Sequence, residues 1–464
     1  MTDQDRKTEL FETAPIPRAV FTMAVPTVLS SLVMVIYNLA DTFFVGMLND
    51  AVQTSAVTLA APVLLAFNAV NNLFGVGTSS MMSRALGRKD FETMEKCCAV
   101  GFYLAAASGI LFSVLCFTLR TPLLSMLGTT SQTVSATAGY LKWTVFLGAA
   151  PAILNVVMAY LVRSEGAAFH ASIGTMSGCM LNMILDPFFI LPGGLGMGAA
   201  GAGCATFISN CTACGYFFML LFLKRGRTHV CINPKKFCPE KDIVGGICAV
   251  GIPASIQNLL NVTSMAILNN FAALSGAEAV AAIGISQKLY MLPNQSAMGI
   301  SQGIMPLLGY NYSSGNGKRM KQVLGFAVGA ALSVITVITV FFHTFSGELI
   351  GLFIADAAVI SHGEKLLKGM CLTAPFFTVD FMAVAVFQSC GMGNRSLLFA
   401  VLRKIVLEIP ILFLYHHLFG LYGLAYAQCS TELVMSVIAV TVLTRLFRRM
   451  DAGTLTGHRK RFGI

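Results

Sequence analysis

Apolar segments long enough to cross a lipid bilayer recur along almost the whole chain. A membrane-spanning helix needs about 20 predominantly apolar residues, and runs of that length lie at 20–48, 55–82, 97–119, 138–162, 171–192, 199–223, 245–271, 279–307, 323–345, 368–390, 398–418 and 421–445. The chain is 56% hydrophobic and only 11% charged, so it has too little polar material to cover a soluble globule of this length. We therefore predict an all-α integral membrane protein with twelve transmembrane helices.

Lysine and arginine residues gather in every second connection between these segments. With the N-terminus inside, the inner connections and the two ends carry most of them, including Arg84, Arg88, Arg163, Lys224, Arg403, Lys404, Arg459, Lys460 and Arg461, and the outer connections carry Arg120, Lys142, Lys365 and Lys368. Because cytoplasmic loops are enriched in Lys and Arg, this asymmetry predicts that both termini are cytoplasmic. The net charge of +10 then reflects topology and attraction to anionic lipid, and no nucleic-acid partner is expected.

The second half of the chain repeats the first at an offset of about 222 to 227 residues. The aligned pairs include Pro26 with Pro253, Pro151 with Pro375, and Gly196 with Gly420. Because each copy contains an even number of helices, both copies enter the membrane from the same side, which makes two parallel-repeat six-helix bundles. The predicted division is a cytoplasmic N-terminal segment at 1–19, an N-lobe at 20–223, a cytoplasmic linker at 224–244, a C-lobe at 245–445 and a basic cytoplasmic tail at 446–464.

Short motifs in a fixed order carry a resemblance to a known family. They are YNLADTFFVG at 37–46, SRALGRKD at 83–90, LVRSEG at 161–166, LNMILDPFFI at 181–190, GLGMGAAGAGCAT at 194–206 and PLLGYNYSSGN at 306–316. With these motifs the sequence resembles the prokaryotic multidrug and toxic compound extrusion (MATE) transporters. The resemblance implies a V-shaped pair of six-helix bundles that exports organic cations or drugs in antiport with H⁺ or Na⁺. It also implies a monomer in the bacterial or archaeal cell (inner) membrane. No cofactor other than the coupling ion, H⁺ or Na⁺, is expected.

Asp41 and Asp186 lie inside predicted spans, where a charged side chain costs roughly 2.5 to 3.5 kcal/mol on insertion scales. Such a residue usually faces a partner, a cavity or an ion path, although a structural role near a helix end would also explain Asp41. Both lie outward of the middle of their spans, so helix rise places them at similar depth. Two carboxylates brought together can hold a monovalent cation or share a proton, and either outcome would couple transport to an ion.

Polar side chains accompany these aspartates in the predicted spans. Asn182 precedes Asp186 by four residues and shares its helix face, and Thr206, Tyr37 and Asn155 add further polar groups in the N-lobe cavity. A bond to a neighbouring helix would also explain Asn182, and a bond to its own backbone would explain Thr206. If the family positions apply, the resemblance implies a coupling-ion or protonation site made of Asp41, Asn182, Asp186 and Thr206. No metal other than Na⁺ is expected.

Pro26 lies on the same predicted helix as Asp41. Proline cannot donate a backbone hydrogen bond inside a helix, so the first span should bend there. We hypothesise that loss of charge at Asp41 changes this bend, closes the N-lobe cavity and releases cargo outward.

Acidic residues also lie near the middle of the last three predicted spans, namely Asp380, Glu408 and Glu432. They could hold a cation or attract a cationic drug, together with Gln257 and Asn261 on the seventh span, where other branches of the resembled family carry an acid. Lys288 is expected to neutralise one of the acids, which would make the group a buried ion pair instead. Methionines at 291, 298 and 305 fit a mostly apolar central cavity between the lobes.

Two other readings of the cargo remain open. A flippase for lipid-linked saccharides, from the same superfamily, would need cationic residues in the cavity to bind a pyrophosphate. The charged residues inside the predicted spans are mainly acidic, and Lys288 is the basic residue among them. An exporter of an endogenous metabolite would have the same architecture as a drug exporter. An intramembrane enzyme is not expected, because the sequence has no HExxH motif and no convincing catalytic serine or paired-aspartate motif.

Overall fold

The computed structural model describes residues 3–354 and 356–452, which form helices and their connections. Positions 1–2 of the predicted N-terminal segment, and 453–464 of the predicted tail with Arg459, Lys460 and Arg461, lie outside the described residues. In the first half the helices are α1 (Asp3–Glu12), α2 (Ile16–Gly46), α3 (Ala51–Gly87), α4 (Phe91–Thr118), α5 (Arg120–Met126), α6 (Val134–Leu141), a π-helical turn (Lys142–Leu147), α7 (Ala149–Ser164), α8 (Ala168–Ile190) and α9 (Ala199–Leu223).

A connection with a short 3-10 turn (Pro234–Lys236) leads to the second half. There the helices are α10 (Lys241–Ala273), α11 (Ala277–Ser313), α12 (Gly317–Thr344), α13 (Ser346–Gly351), α14 (Ala357–Leu372), α15 (Ala374–Ser389), α16 (Gly393–Val401), a second π-helical turn (Leu402–Glu408), α17 (Ile409–Phe419) and α18 (Leu421–Asp451). Each of the twelve apolar segments found in the sequence coincides with a helix or a connected helix group of the described chain.

Eight helices of the described residues are long and apolar enough to cross a membrane, and two bent helix pairs raise the number to ten. The other two predicted spans are α11, whose apolar run is interrupted by Gln287, Asn294 and Gln295, and the group from α16 to α17, which contains Arg403 and Lys404. The prediction of an all-α membrane protein is confirmed by this architecture.

The two bent pairs lie at matching positions in the two halves. The helical segment Val134–Leu147 meets α7 at an angle of 49°, and α14 meets α15 at 41°. Pro151 lies in the first turn of α7 and Pro375 in the first turn of α15. Proline is tolerated there because the first backbone N–H groups of a helix have no intrahelical acceptor. Both bends therefore lie just before a helix that has proline in its first turn, at the same position in each repeat.

The halves pack closely against each other through α2, α3, α10 and α11. A Cβ added at Gly303 would lie 2.8 Å from Cα of Ala24, and one added at Gly299 would lie 2.9 Å from Cα of Val28, so α2 and α11 touch backbone to backbone. Small residues allow such contact between membrane helices. The halves are thus tightly joined along these helices.

One end of the helix bundle, called the basic face below, carries the connections that follow α3, α7, α9, α11 and α15. Lys and Arg lie in these connections or in the helix turns beside them. Helix α1 lies across this face and contacts both halves. The Phe11 ring stacks on Tyr310 with centroids 4.8 Å apart, and Arg319 Nε donates to the Phe11 carbonyl oxygen at 2.7 Å. Glu12 accepts a hydrogen bond from the Tyr310 hydroxyl at 2.6 Å and pairs with Lys89 at 3.1 Å. Helix α1 therefore bridges the halves at this end.

Candidate functional site

Asp186 lies on α8 with no exposed surface, and Asn182 lies one turn earlier on the same helix face. The amide of Asn182 is oriented by its neighbours: its nitrogen donates to Asp186 Oδ2 at 2.8 Å, and its oxygen accepts from the backbone N–H of Thr206 at 3.0 Å. The Thr206 hydroxyl donates to the Ala202 carbonyl at 2.9 Å and lies 3.3 Å from the Asn182 amide. A chain of polar groups thus connects α8 to α9 beside a buried carboxylate.

Asp41 approaches this chain from α2. It is half-buried, and within the described residues its buried Oδ1 has no hydrogen-bond partner. The carboxylates of Asp41 and Asp186 are close enough to interact electrostatically, and Tyr37 interacts with both Asp41 and Thr206. Four of the residues expected at the coupling site therefore lie together, with Tyr37 beside them.

Tyr140 is a member of this cluster that sequence reasoning missed. It lies on α6, is buried, and interacts with Asp41 and Asp186. In the sequence, the one indication of Tyr140 was its position in a predicted span. The direction of its side chain depends on the bend after α6, which the sequence does not reveal. Its hydroxyl group is a hydrogen-bond donor and acceptor that the acids can use.

Asn155 contacts a different residue from those expected. From α7 its amide nitrogen donates to Asn210 Oδ1 on α9 at 3.2 Å, and within the described chain its own Oδ1 has no hydrogen-bond partner. Asn210 follows Thr206 by one turn of α9, so the helical period was the available signal for it. The pair continues the polar lining between α7 and α9.

Pro26 lies inside α2, which runs without interruption from Ile16 to Gly46. The fifteen-residue separation between Pro26 and Asp41 corresponds to about 22 Å along a helix. The Pro26 segment lies beside α11, where Ala24 and Val28 meet the glycines of that helix. Any coupling between Asp41 and Pro26 must therefore pass along α2 itself.

The second half contains a buried charged cluster that crosses from the second π-helical turn to α15 and α18. Arg403 Nε donates to Glu432 Oε1 at 2.6 Å, and its Nη2 contacts the same oxygen. Asp380 interacts with both Glu432 and Arg403, although within the described residues neither of its oxygens has a hydrogen-bond partner of standard geometry. All three side chains are at least nine-tenths buried.

A second ion pair lies in the same π-helical turn. Lys404 Nζ donates to Glu408 Oε2 at 2.6 Å, and the hydroxyl of Ser264 on α10 donates to the other oxygen of Glu408. A π-helix has a wider turn than an α-helix, and this turn directs Arg403, Lys404 and Glu408 toward the protein interior.

These pairs correct two expectations from the sequence. Arg403 and Lys404 are not in a cytoplasmic connection; each is 7% exposed and paired inside the second half. Lys288, which was expected to neutralise an acid, makes no ion pair within the part of the chain that the structure describes. Arg403 and Lys404 neutralise the acids because the π-helical turn that carries them (Leu402–Glu408) faces the acids. Lys288 lies on a different helix, α11.

A cavity of about 480 Å³ lies beside these pairs and is bounded by both halves. Its charged lining residues are Arg403, Lys404 and Glu408. Ten carboxamides line it: Asn72, Gln257, Asn258, Asn261, Gln287, Asn294, Gln295, Gln302, Gln388 and Gln428. Five methionines also line it: Met265, Met291, Met298, Met305 and Met370. The surface of the cavity is mostly apolar, as expected from the sequence, and its polar part comes largely from amides.

The described residues contain no group of three or more His, Cys, Asp or Glu side chains that could hold a metal ion. The clusters instead offer carboxylate, amide and hydroxyl oxygens, which suit a proton or a hard monovalent cation.

A repeated helical membrane architecture, with buried acids and a polar cavity between its halves, defines a multi-pass membrane transporter. The MatE family profile matches residues 26–188 and 253–414, so the chain belongs to the MATE family of transporters. One matched stretch lies in each half of the chain. Both the predicted family and the prediction of a transporter rather than an enzyme are confirmed.

Relatives and solved structures agree with this assignment. The multidrug export protein MepA of Staphylococcus aureus strain MRSA252 is 30% identical over 451 residues, covering 97% of this chain and 98% of MepA. MepA of Staphylococcus saprophyticus is 29% identical over 447 residues, covering 96% and 98%. The outward-facing structure of a multidrug resistance MATE family transporter of the MOP superfamily superimposes with a TM-score of 0.91 at 24% identity, covering 96% of this chain and 98% of that one.

Proposed function

We propose that the chain exports drug-like small molecules in antiport with H⁺ or Na⁺, and that Asp41 and Asp186 carry the coupling ion. Relatives that match almost the whole chain are named multidrug export proteins, which supports the cargo class. The observation that carries the coupling site is the buried Oδ1 of Asp41, which has no hydrogen-bond partner within the described chain and lies near a second carboxylate. A buried acceptor of this kind is costly unless a proton or a cation satisfies it.

In this proposal the polar neighbours hold the second carboxylate in place. Asn182 donates to Asp186 at 2.8 Å and is itself anchored to Thr206, so Asp186 keeps its position whether or not the ion is bound. Asp41 has no such support on its buried oxygen, so it is the acid whose state changes most on binding. Tyr37 interacts with Asp41, and Tyr140 interacts with both acids.

The proposed hinge is Pro26. Its missing N–H leaves the carbonyl of the preceding turn without its usual partner, which lowers the cost of bending α2 beside α11. Charge loss at Asp41 would then move the outer part of α2 relative to its anchored inner part. Full gradient-driven export by Pro26→Ala would exclude this hinge.

The proposal places the basic face in the cytoplasm, with both termini on that side of a bacterial or archaeal cell membrane. The Lys and Arg enrichment of its connections supports this orientation. Residues 20–223 and 245–445 would act as the N-lobe and C-lobe, connected by the linker at 224–244. Labelling of single cysteines at Lys224 and Lys365 with an impermeant thiol reagent, in a cysteine-depleted background, should protect the first and modify the second in intact cells.

A saccharide flippase is less well supported. Both cations that line the cavity, Arg403 and Lys404, are neutralised by Glu432 and Glu408, so the described lining has no surplus positive charge to balance a pyrophosphate. A metabolite exporter would use the same ion site and would differ in cargo alone.

The test is ethidium efflux from proteoliposomes under an imposed H⁺ or Na⁺ gradient. Asp41→Asn and Asp186→Asn should each lose gradient-driven efflux. Asp50→Asn is the matched control, because Asp50 is exposed and caps α3 through Val52 N–H at 2.8 Å, a role that Asn fills equally well. Unchanged efflux in both site variants would refute the coupling role.

A further inference from the structure

Every charged side chain that lines the cavity already has a partner of opposite charge. Lys404 donates to Glu408 at 2.6 Å, and Arg403 donates to Glu432, which lies behind it, at 2.6 Å. Asp380 interacts with the same arginine from outside the lining. The described lining therefore contains no free carboxylate that could neutralise an incoming cation.

The rest of the lining does not favour either sign of charge. A carboxamide has two N–H donors and one carbonyl acceptor, so the ten amides can bond to anionic and cationic groups alike. Gln388 Nε2 donates to Gln257 Oε1 at 3.4 Å, which shows that neighbouring amides can also satisfy one another. The methionines add flexible apolar surface that adapts to different rings.

The ion pairs keep unused hydrogen-bonding capacity. Lys404 has three N–H donors, and Arg403 has five, of which Glu408 and Glu432 use only some. A ligand carboxylate could take these spare donors, and a ligand ammonium on the same molecule could reach Glu408. A lone cation that reached Glu408 would lie beside the two positive side chains of the wall, with no group of its own to bond to them.

On the basis of the proposed export function, we propose that this cavity binds neutral or zwitterionic aromatic compounds in preference to permanently charged organic cations. A zwitterion matches the paired charges of the wall without leaving a buried charge uncompensated. This departs from the organic-cation cargo expected from the family resemblance.

A matched pair of dyes tests the preference. Rhodamine 123 is a methyl ester with a permanent positive charge, and rhodamine 110 is the corresponding free acid, a zwitterion. Fluorescence anisotropy with the purified full-length protein in detergent should give a lower Kd for rhodamine 110. Equal Kd values, or tighter binding of rhodamine 123, would overturn the inference.

Three variants test whether the ion pair sets the preference. Lys404→Gln frees Glu408 and should shift the ratio of the two Kd values by about threefold toward rhodamine 123, and Glu408→Gln should shift it similarly toward rhodamine 110. The double variant removes both charges of the pair, so its ratio of the two Kd values should lie closer to one than the ratio in the wild type. Shifts in the same direction, or no shift, would contradict the role of the pair, and the wild-type comparison stands even if a variant does not fold.

Binding and transport separate this inference from the proposed function. If rhodamine 110 binds more tightly but neither dye nor ethidium is exported under an ion gradient, export is wrong and the ligand preference stands. If ethidium and rhodamine 123 are exported and rhodamine 110 binds more weakly, export stands and the ligand preference is wrong.

Discussion

Replacing Arg403 by methionine is expected to destabilise the protein more than removing either acid beside it. Arg403 is the shared cation of Glu432, which it contacts at 2.6 Å, and of Asp380. Without it, two carboxylates that are 0% and 1% exposed would lie side by side with no countercharge. Leaving a buried charge uncompensated costs about 3–5 kcal/mol.

The two acids should behave differently from the arginine and from each other. Glu432→Gln leaves Asp380 as a partner for Arg403, so we expect a smaller loss, of about 1–3 kcal/mol. Asp380→Asn removes a carboxylate that has no hydrogen bond of standard geometry within the described chain, so the change should be below about 1 kcal/mol.

Thermal unfolding in detergent can measure this order. The buried cysteines provide the signal, because thiols such as that of Cys371 react with a fluorogenic maleimide only on unfolding. Arg403→Met should lower the apparent Tm by about 5 °C, given that 1 kcal/mol corresponds to about 2 °C or less in a large domain. Arg445→Met, at an exposed position of α18, is the control. If Asp380→Asn proves at least as destabilising as Arg403→Met, the shared-cation argument is refuted.

Three further outcomes follow from the packing between the halves and from the contacts of the basic face. Gly303→Val should lower the apparent Tm, because an added Cβ meets the Ala24 backbone at 2.8 Å, whereas Gly329→Val, whose Cβ meets nothing within 4 Å, should not. Arg319→Ala should release α1 and raise its cleavage by trypsin in proteoliposomes, and cleavage at the wild-type rate would count against docking. The Tyr310 hydroxyl, with Lys89, lowers the pKa of Glu12. The charged form of Glu12 therefore stabilises docking above the ordinary glutamate pKa, and this stabilisation is lost as pH falls through the lowered pKa. Chemical labelling of α1, measured without trypsin, should stay constant from about pH 6 to 8 and rise only at a pH below the ordinary glutamate pKa.

The helical period made much of the first-half site accessible from the sequence. Asn182 and Asp186 are four residues apart, and one turn of helix is enough to place them in contact. The depth of Asp41 followed from its distance along an apolar segment. Tyr140 was missed because the bend between α6 and α7 sets its direction, and a bend angle is decided by packing between helices.

The second-half site was less predictable because positive charge normally indicates a cytoplasmic loop, whereas here it lies inside the protein. Arg403 and Lys404 lie near a span boundary, and counting basic residues by connection assigned them to a loop. The four-residue spacing of Lys404 and Glu408 was the available signal for an internal pair. The π-helical turn that brings both inward has no comparable sequence signature, and it emerges only from packing against α10, α15 and α18.

The matched bends before Pro151 and Pro375 show that the two halves have kept the same backbone geometry while their side chains have diverged. Around them the side chains have diverged: one half has carboxylates held by amides, and the other has acids paired with arginine and lysine. The backbone break is nevertheless the same in both, at 49° and 41°. The simplest account is that an ancestral six-helix unit was already bent before its gene duplicated, and that each copy later acquired its own chemistry on an inherited frame.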